Sequence, residues 1–365
     1  MALAGPIVLA TGGTGGHVFP AEALASELSA RGIDYALFTD SRGKQWQGAL
    51  AARPVHHVRA ASPSGSIGRR IAALGHLALG FVQAWRGLAR VAPSAVVGFG
   101  GYASVPTMLA ARVRRLPAML HEQNAVLGKA NRLAQAGATT IATSFVETRH
   151  TEASRVALVG NPVREAVRAL AGLGYRPPAS GRAVDLLVFG GSQGAGAFAR
   201  VVPAAIEAMA SDLRVHLRVV QQCRPEDVEA ARASYARLGV LAEIAPFFRD
   251  LPQRMAAAHL VIARSGASTV AELATIGRPS ILVPYPFAAD DHQTANARAL
   301  EAASGCVVMP ETEFTPAALA ERLAALVADP ARLSAMAAAA HAVGRPDAAA
   351  RLADLVLDLA RGAGR

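Results

Sequence analysis

Short apolar runs alternate along the chain with longer stretches in which apolar residues recur at helical spacing, the pattern of buried strands each followed by a helix. The stretch 261–272, VIARSGASTVAE, carries it most clearly. Leu260, Val261 and Ile262 lead into Arg264-Ser265-Gly266, and a helical pattern then runs to Gly277. This reads as a buried strand, a tight turn and a helix whose first turn holds small hydroxyl residues. Free N–H groups and the positive dipole end suit such a helix start to an anion, especially a phosphate. With Ser265 as N-cap, Glu272 lies about two turns in, where its carboxylate can accept both ribose hydroxyls of a nucleotide. The competing reading is a capping or solvated glutamate, since Thr269 and Glu272 have capping-box spacing.

The chain opens in the same way. A buried strand at 6–10 is followed by TGGTGGHVFP at 11–20, and a helix with Ala23, Leu24 and Leu28 inside runs to Gly32. This is a dinucleotide-type start in which glycines let backbone N–H groups approach an anion. Val18 stands where a third glycine would be, and a plain tight turn is the alternative. Further strands are expected at 35–40, 55–59, 94–97, 118–120, 139–143 and 156–159. The strand at 94–97 ends in a second glycine loop, GFGGY. The strand at 118–120 leads into His121-Glu122-Gln123-Asn124, polar groups at a carboxyl strand end, where open parallel sheets bind ligands. Four such residues in a row would be awkward to bury, so a site is expected there. For His121 alone, the alternative is a satisfied core histidine. GNPVR at 160–164 and the loop 172–182 suggest a hinge. The second half repeats the logic, with strands at 184–189, 216–220, 241–245 and 280–283, a third glycine loop GGSQG at 190–194, and a helix at 201–209. Ser265, Glu272 and Gln293 fall around carboxyl strand ends, and alanine-rich helices run from 316 to 361. Asp290-Asp291-His292 invites a metal reading, but adjacent residues face different ways and no second ligand cluster appears, so no metal site is expected.

The helix at 67–90 differs from the others. Ile67, Ile71, Leu74, Phe81, Trp85 and Leu88 recur at helical spacing, with Arg69, Arg70, Arg86 and Arg90 at its ends. Such a helix can lay an apolar face into a bilayer interface with arginines on anionic headgroups. The alternative is an ordinary buried helix with solvated ends. Composition tilts the balance. The chain has 365 residues, room for two domains, and a net charge of +10, which favours phosphate-bearing partners. Aromatics are only 5%, without the basic and aromatic interleaving that stacks single strands, so nucleic acid is not expected as a partner. Cys223 and Cys306 lie far apart, which points to a reducing compartment. The N-terminus lacks a basic signal-peptide region, and no apolar run reaches the roughly 20 residues of a membrane span. A soluble or peripheral protein is expected.

Three glycine loops in two βα halves, with HEQN, GNPVR, GGSQG and SGAST followed by Glu272, resemble the MurG family, N-acetylglucosaminyltransferases of peptidoglycan synthesis that act on lipid I. The resemblance spans nearly the whole chain, from Gly12 to Asn296. It implies an α/β protein of two Rossmann-like domains facing across a cleft, the glycosyltransferase B fold. Residues 1–163 would form the acceptor and membrane-associating domain, with a C-terminal helix at about 345–365 packing back on it, and 164–344 the UDP-N-acetylglucosamine domain. The family's donor residues fall on Thr14, Gly15, Asn124, Arg164, Ser192, Phe248, Ser265, Glu272 and Gln293. Glu272 would hold the uridine ribose, Ser192 and Arg164 the diphosphate, and Asn124 and Gln293 the sugar hydroxyls. The acceptor residues fall on Gly13, Gly16, Gly100, Gly101, Tyr102 and His121, with Thr14 and His17 also near the reacting centre. Ile71, Leu74, Phe81, Trp85, Arg69, Arg70 and Arg86 would meet the membrane, on the cytoplasmic face of the inner membrane, where cell-wall synthesis supports cell shape and division. The chain departs from the family in places. Gly196 and Ala199 stand where an arginine and an asparagine are usual, Phe248 where a smaller aliphatic residue sits beside the uracil, and His292 at a position that can be glutamine.

The implied reaction is inverting transfer of N-acetylglucosamine to the acceptor's 4-hydroxyl, with no cofactor and no metal. Negative charge growing on the departing UDP can be met by a helix dipole, loop N–H groups and Arg164. A base must take the hydroxyl proton, and a neutral imidazole suits pH near 7. His17 is the candidate, with Glu122 or His121 as alternatives. Competing readings are another enzyme of this fold, such as a UDP-N-acetylglucosamine 2-epimerase, a nicotinamide oxidoreductase using the first glycine loop and Asp40, and a non-catalytic membrane scaffold.

Overall fold

The computed structural model describes residues 3–12, 15–40, 48–63, 65–179, 181–191 and 195–362. The chain divides into two compact units, Met1–Arg164 with Arg345–Arg365, and Glu165–Gly344. The first contains β1 (Ile7–Ala10), α1 (Gly15–Ala30), β2 (Tyr35–Thr39), β3 (Val55–His57), α2 (Ile67–Val91) and β4 (Ala95–Gly98). It continues with α3 (Ser104–Val113), β5 (Ala118–Glu122), α4 (Lys129–Ala134), β6 (Thr140–Thr143) and β7 (Val156–Leu158). The second begins with α5 (Glu165–Arg168), β8 (Val184–Phe189), α6 (Gly196–Ala208), α7 (Ser211–Arg214), β9 (Leu217–Gln222) and α8 (Val228–Arg237). Next come β10 (Leu241–Ala245), α9 (Leu251–Ala257), β11 (Leu260–Ala263), α10 (Ala267–Ile276), β12 (Ser280–Leu282) and α11 (His292–Ala302). It ends with β13 (Cys306–Val308), α12 (Pro316–Val327) and α13 (Pro330–Val343). The final helix, α14 (Ala348–Gly362), belongs to the first unit.

Both units are doubly wound parallel sheets. The first has the order β3-β2-β1-β4-β5-β6-β7 and the second β10-β9-β8-β11-β12-β13. The order reverses between β1 and β4, and again between β8 and β11. At those switch points the connections leave the sheet on opposite sides and open a crevice beyond the carboxyl ends. The central strands β1, β4 and β11 are apolar and fully buried because helices cover both faces. On β1, Val8 and Ala10 face one core with Phe38 of β2 and Leu88 of α2. Ile7 and Leu9 face the other with Leu24 of α1. Leu352, Ala353 and Val356 of α14 complete that second core, and Arg31 after α1 pairs with Asp354.

Helix α2 packs its small residues inward: Ala73, Gly80, Ala84 and Gly87 are buried with Leu88. The opposite stripe is apolar yet open, with Ile67 76%, Ile71 65%, Leu74 60% and Trp85 41% exposed. Phe81, expected on that outer face, instead packs against the core of Val8 and Phe38. It falls at helical spacing from Ala73, Ala84 and Leu88, which places it on the inner side. The Arg114 guanidinium lies 5.0 Å from the centroid of Trp85.

Other expectations need adjustment. The strand expected at 118–120 extends to Glu122, and that expected at 55–59 stops at His57. Helices α5 and α7 are single turns, too short to show periodicity, and β13 is three residues long.

The two sides of α2 can be told apart by adding one methyl group. A Cβ on Gly80 would fall 1.9 Å from the Arg59 carbonyl oxygen, whereas one on Gly75 meets nothing. Gly80→Ala is expected to destabilise the protein by about 1–3 kcal/mol through overpacking. Gly75→Ala should stabilise it by up to about 1 kcal/mol through helix propensity. Urea unfolding of the two variants checks the opposite signs.

Candidate active site

At the switch point of the first sheet, the turns after β1 and β4 meet. Gly100 and Gly101 have φ of 91° and 72°. A Cβ on Gly101 would lie 2.6 Å from the Gly12 carbonyl oxygen, and one on Gly100 would lie 3.1 Å from Cε1 and Nδ1 of His17. Residues 100 and 101 are therefore glycines because the first loop's backbone and the half-buried His17 ring occupy the space a side chain would need. Thr11 Oγ1 donates to the His17 carbonyl at 3.1 Å. Gly15 and Gly16 are exposed on the first turn of α1, while Tyr102 packs partly on the core beneath. Gly13 and Thr14 lie outside the described residues.

The HEQN run is not the exposed cluster its polarity suggests. His121, Glu122 and Gln123 are 0%, 1% and 1% exposed. Burial is tolerated because the polar groups partner one another. Glu122 Oε1 accepts from the Asn124 amide N–H at 3.0 Å and from Asn124 Nδ2 at 3.1 Å. Its Oε2 accepts from the Gly128 N–H at 2.9 Å and from Asn131 Nδ2 at 2.8 Å. With both oxygens engaged, Glu122 braces the loop to α4 and is set aside as an alternative base. His121 is set aside as an acceptor contact and as a base for the same reason. Its Nε2 lies 3.0 Å from the Gly160 carbonyl and its Nδ1 3.0 Å from Gln123 Nε2. Burial pushes its pKa down to about 4, so the ring is neutral. Asn124 is only partly buried, at the outer end of this network. Gln123 was not singled out in the sequence, yet its Oε1 lies 3.0 Å from His17 Nδ1. The usable signal was its position directly after a polar strand end.

In the second unit, α10 starts at Ala267 with Gly266 as N-cap, one residue later than the sequence suggested. Ser265 is not the cap: its hydroxyl donates to the Gln293 carbonyl at 2.8 Å. Asn296 Nδ2 donates to the Ser265 carbonyl at 3.1 Å, and Gln293 Oε1 accepts from the Tyr285 N–H at 3.0 Å. Ser265 and Gln293 are thus brought together. Glu272 lies beyond the first turn and is 5% exposed, so it is neither a capping-box nor a solvated glutamate. Phe248 is buried with the Arg254 guanidinium 4.3 Å from its ring centroid. A Cβ on Gly196 would lie 2.6 Å from Arg224 Nη2, the far end of a partly exposed side chain that can give way. Gly191, at φ 81°, begins the third glycine loop, and Ser192 lies outside the described residues. Arg164 falls in the first unit, 5.6 Å from the Phe19 ring centroid. There it offsets the upward push of burial on the Glu22 carboxyl.

Comparison with known proteins agrees with this geometry along the whole chain. Residues 7–143 match the glycosyltransferase family 28 N-terminal domain, and residues 185–352 match its C-terminal domain. A UDP-N-acetylglucosamine--N-acetylmuramyl-(pentapeptide) pyrophosphoryl-undecaprenol N-acetylglucosamine transferase from Rhodospirillum centenum is 55% identical over 97% of this chain and 94% of its own length. The chain belongs to glycosyltransferase family 28 and, within it, to the MurG family. The protein of the same name from Agrobacterium fabrum is 48% identical over 98% of this chain and 95% of its own length. The MurG crystal structure from Acinetobacter baumannii superposes with a TM-score of 0.80 at 30% identity, covering 97% of this chain and 99% of that one. A UDP-GlcNAc 2-epimerase from Neisseria meningitidis reaches a TM-score of 0.67 at 12% identity over 96% of this chain and all of that one, a likeness of fold alone. The two parallel-sheet units are those of the glycosyltransferase B fold that the MurG family shares.

Neutral His121 leaves a pH signature. The unfolded chain takes up a proton as pH falls through about 6.5, while the folded protein resists until about 4. Stability should therefore be full above pH 6.5 and fall towards pH 4, by about 3 kcal/mol from this residue. Urea unfolding from pH 7 to pH 4.5, compared with His121→Gln, should show a shallower loss in the variant across that window.

Proposed function

We propose that this protein transfers N-acetylglucosamine from UDP-N-acetylglucosamine to the 4-hydroxyl of the muramyl sugar of lipid I, a step of peptidoglycan synthesis. The observation that carries this reading is the full-length likeness at 55% identity to a transferase so named. The enzyme is a hexosyltransferase. The direct experiment supplies UDP-N-acetylglucosamine and a lipid I analogue and follows UDP release. Release that requires both substrates is expected. Epimerised UDP-sugar formed without acceptor would overturn the assignment in favour of the epimerase reading.

Within that function His17 is the base, by its place between the two glycine turns. An imidazole is of the chemical type that accepts a proton near neutral pH. Glu272 holds the ribose from the second turn of α10, while the N-termini of α6 and α10 face the diphosphate with their free N–H groups. Stabilisation of the leaving diphosphate is electrostatic and needs no cofactor. His17→Ala should lower kcat by about 10²–10⁴-fold with little change in donor KM. Glu272→Ala should raise the KM for UDP-N-acetylglucosamine by about 10- to 100-fold. Steady-state kinetics with each substrate varied separates the two, and turnover intact in His17→Ala removes it as base.

The exposed stripe of α2 supports attachment to an anionic membrane surface, as expected for an enzyme with a lipid-borne acceptor on the cytoplasmic face of the inner membrane. Ile67, Ile71, Leu74 and Trp85 stand open to solvent, while Arg69, Arg70 and Arg86 flank them on the same helix. No single helix among the described residues is long and apolar enough to cross a membrane. The double substitution Ile71→Asp with Leu74→Asp should lower co-sedimentation with phosphatidylglycerol vesicles by about tenfold or more. Unchanged binding would remove α2 from the contact.

A further inference from the structure

The hydrogen bonds around Gln123 have only one consistent set of directions. Its Nε2 lies 2.9 Å from the Phe99 carbonyl oxygen and 3.2 Å from the His121 carbonyl oxygen, both able only to accept. Turning the amide over would set oxygen against oxygen, so the nitrogen end is fixed on that side. The Oε1 end therefore faces His17 Nδ1 at 3.0 Å. An amide oxygen has no proton to give, so the proton between them belongs to Nδ1. The far side of the network agrees. His121 Nε2 faces the Gly160 carbonyl at 3.0 Å and must carry its proton, which leaves His121 Nδ1 bare to accept from Gln123 Nε2 at 3.0 Å. Burial keeps the His121 ring neutral, as that arrangement requires.

We propose that Gln123 is a positioning residue that holds His17 in the Nδ1–H tautomer, leaving Nε2 as the lone pair that takes the acceptor's proton. This rests on the reading of His17 as the base. Free histidine in water favours the opposite tautomer, with the proton on Nε2. Unconstrained, His17 would mostly present a donor where an acceptor is needed. Once Nε2 has taken the proton, Oε1 still accepts from Nδ1–H and orients the imidazolium. A second device keeps the ring in register: Gly100 leaves no side chain where Cε1 and Nδ1 lie. Gln123 is itself pinned through two carbonyls, so the preference is fixed by backbone atoms of Phe99 and His121.

The test reads the tautomer without substrate, by long-range proton–nitrogen NMR of protein labelled with ¹⁵N-histidine, at a pH where His17 is neutral. His17→Ala assigns the signal by its disappearance. Wild type should show His17 with its proton on Nδ1. Gln123→Met, similar in length but unable to accept a proton, should move it to Nε2 and lower kcat by about 10²-fold or more with donor KM unchanged. A wild-type His17 protonated on Nε2, or a Met variant whose tautomer or kcat is unchanged, overturns the proposal. If Gln123→Met fails to fold, the wild-type spectrum decides it. Because the tautomer is read without turnover, a His17→Ala enzyme that still transfers sugar would sink the base assignment and leave the spectral result standing separately.

Discussion

The first unit depends on a backbone contact. Gly101 approaches the Gly12 carbonyl so closely that a Cβ would sit 2.6 Å from it. Two turns leaving neighbouring strands on opposite sides of the sheet can meet only when neither carries a side chain at the point of contact. That closeness lets a residue of α1, His17, reach across β1 and β4 to a side chain following β5. The glycines thus do two things at once. They free N–H groups for an anion, and they bring the imidazole within hydrogen-bond distance of Gln123.

Burying that cluster carries an energetic risk. An unpaired carboxylate or imidazole in the interior costs several kcal/mol. Glu122 avoids this by accepting from four N–H groups, and His121 by staying neutral. A network in which Glu122, His121 and Gln123 are all paired has few alternative arrangements, so it specifies their side-chain positions at the sheet end more sharply than apolar packing would. The same completeness removes these groups from direct chemistry. Glu122 and His121 hold the loop, and the half-buried His17 at the network's edge keeps one ring nitrogen that Gln123 does not use.

Much of the fold could be read from the sequence because the central strands are short apolar runs, and those at the switch points lead into glycine turns. The periodicity identified both sheets, the switch-point loops and the apolar stripe of α2. Polarity in HEQN was a poorer guide to exposure. Sequence shows that a residue is polar, but not whether neighbours distant in the chain, here Gly128, Asn131 and Gly160, will satisfy it. Phe81 was misplaced for a related reason. At a spacing shared by two faces of a long helix, only contact with Val8 and Phe38 decides which side is inner. The N-cap of α10 moved by one residue because Ser265 found a better partner in the Gln293 carbonyl than in its own helix.

Gly196, at the start of α6, lies against a side chain from another part of its sheet. At the first position of α6 a side chain would meet the Arg224 guanidinium, whose Nη2 would lie 2.6 Å from the added Cβ. Arg224 comes from the turn after β9, a different part of the sheet, and is held there by Asp227 at 2.8 Å and Glu226 at 3.2 Å. A guanidinium already paired with two carboxylates therefore stands beside the start of the helix that follows the third glycine loop, and the cluster as a whole carries no net positive charge. The requirement at a helix N-terminus facing an anion concerns charge and space. Because Arg224 is shared between Glu226 and Asp227, attraction for an anion at this helix start falls to the N–H groups of its first turn.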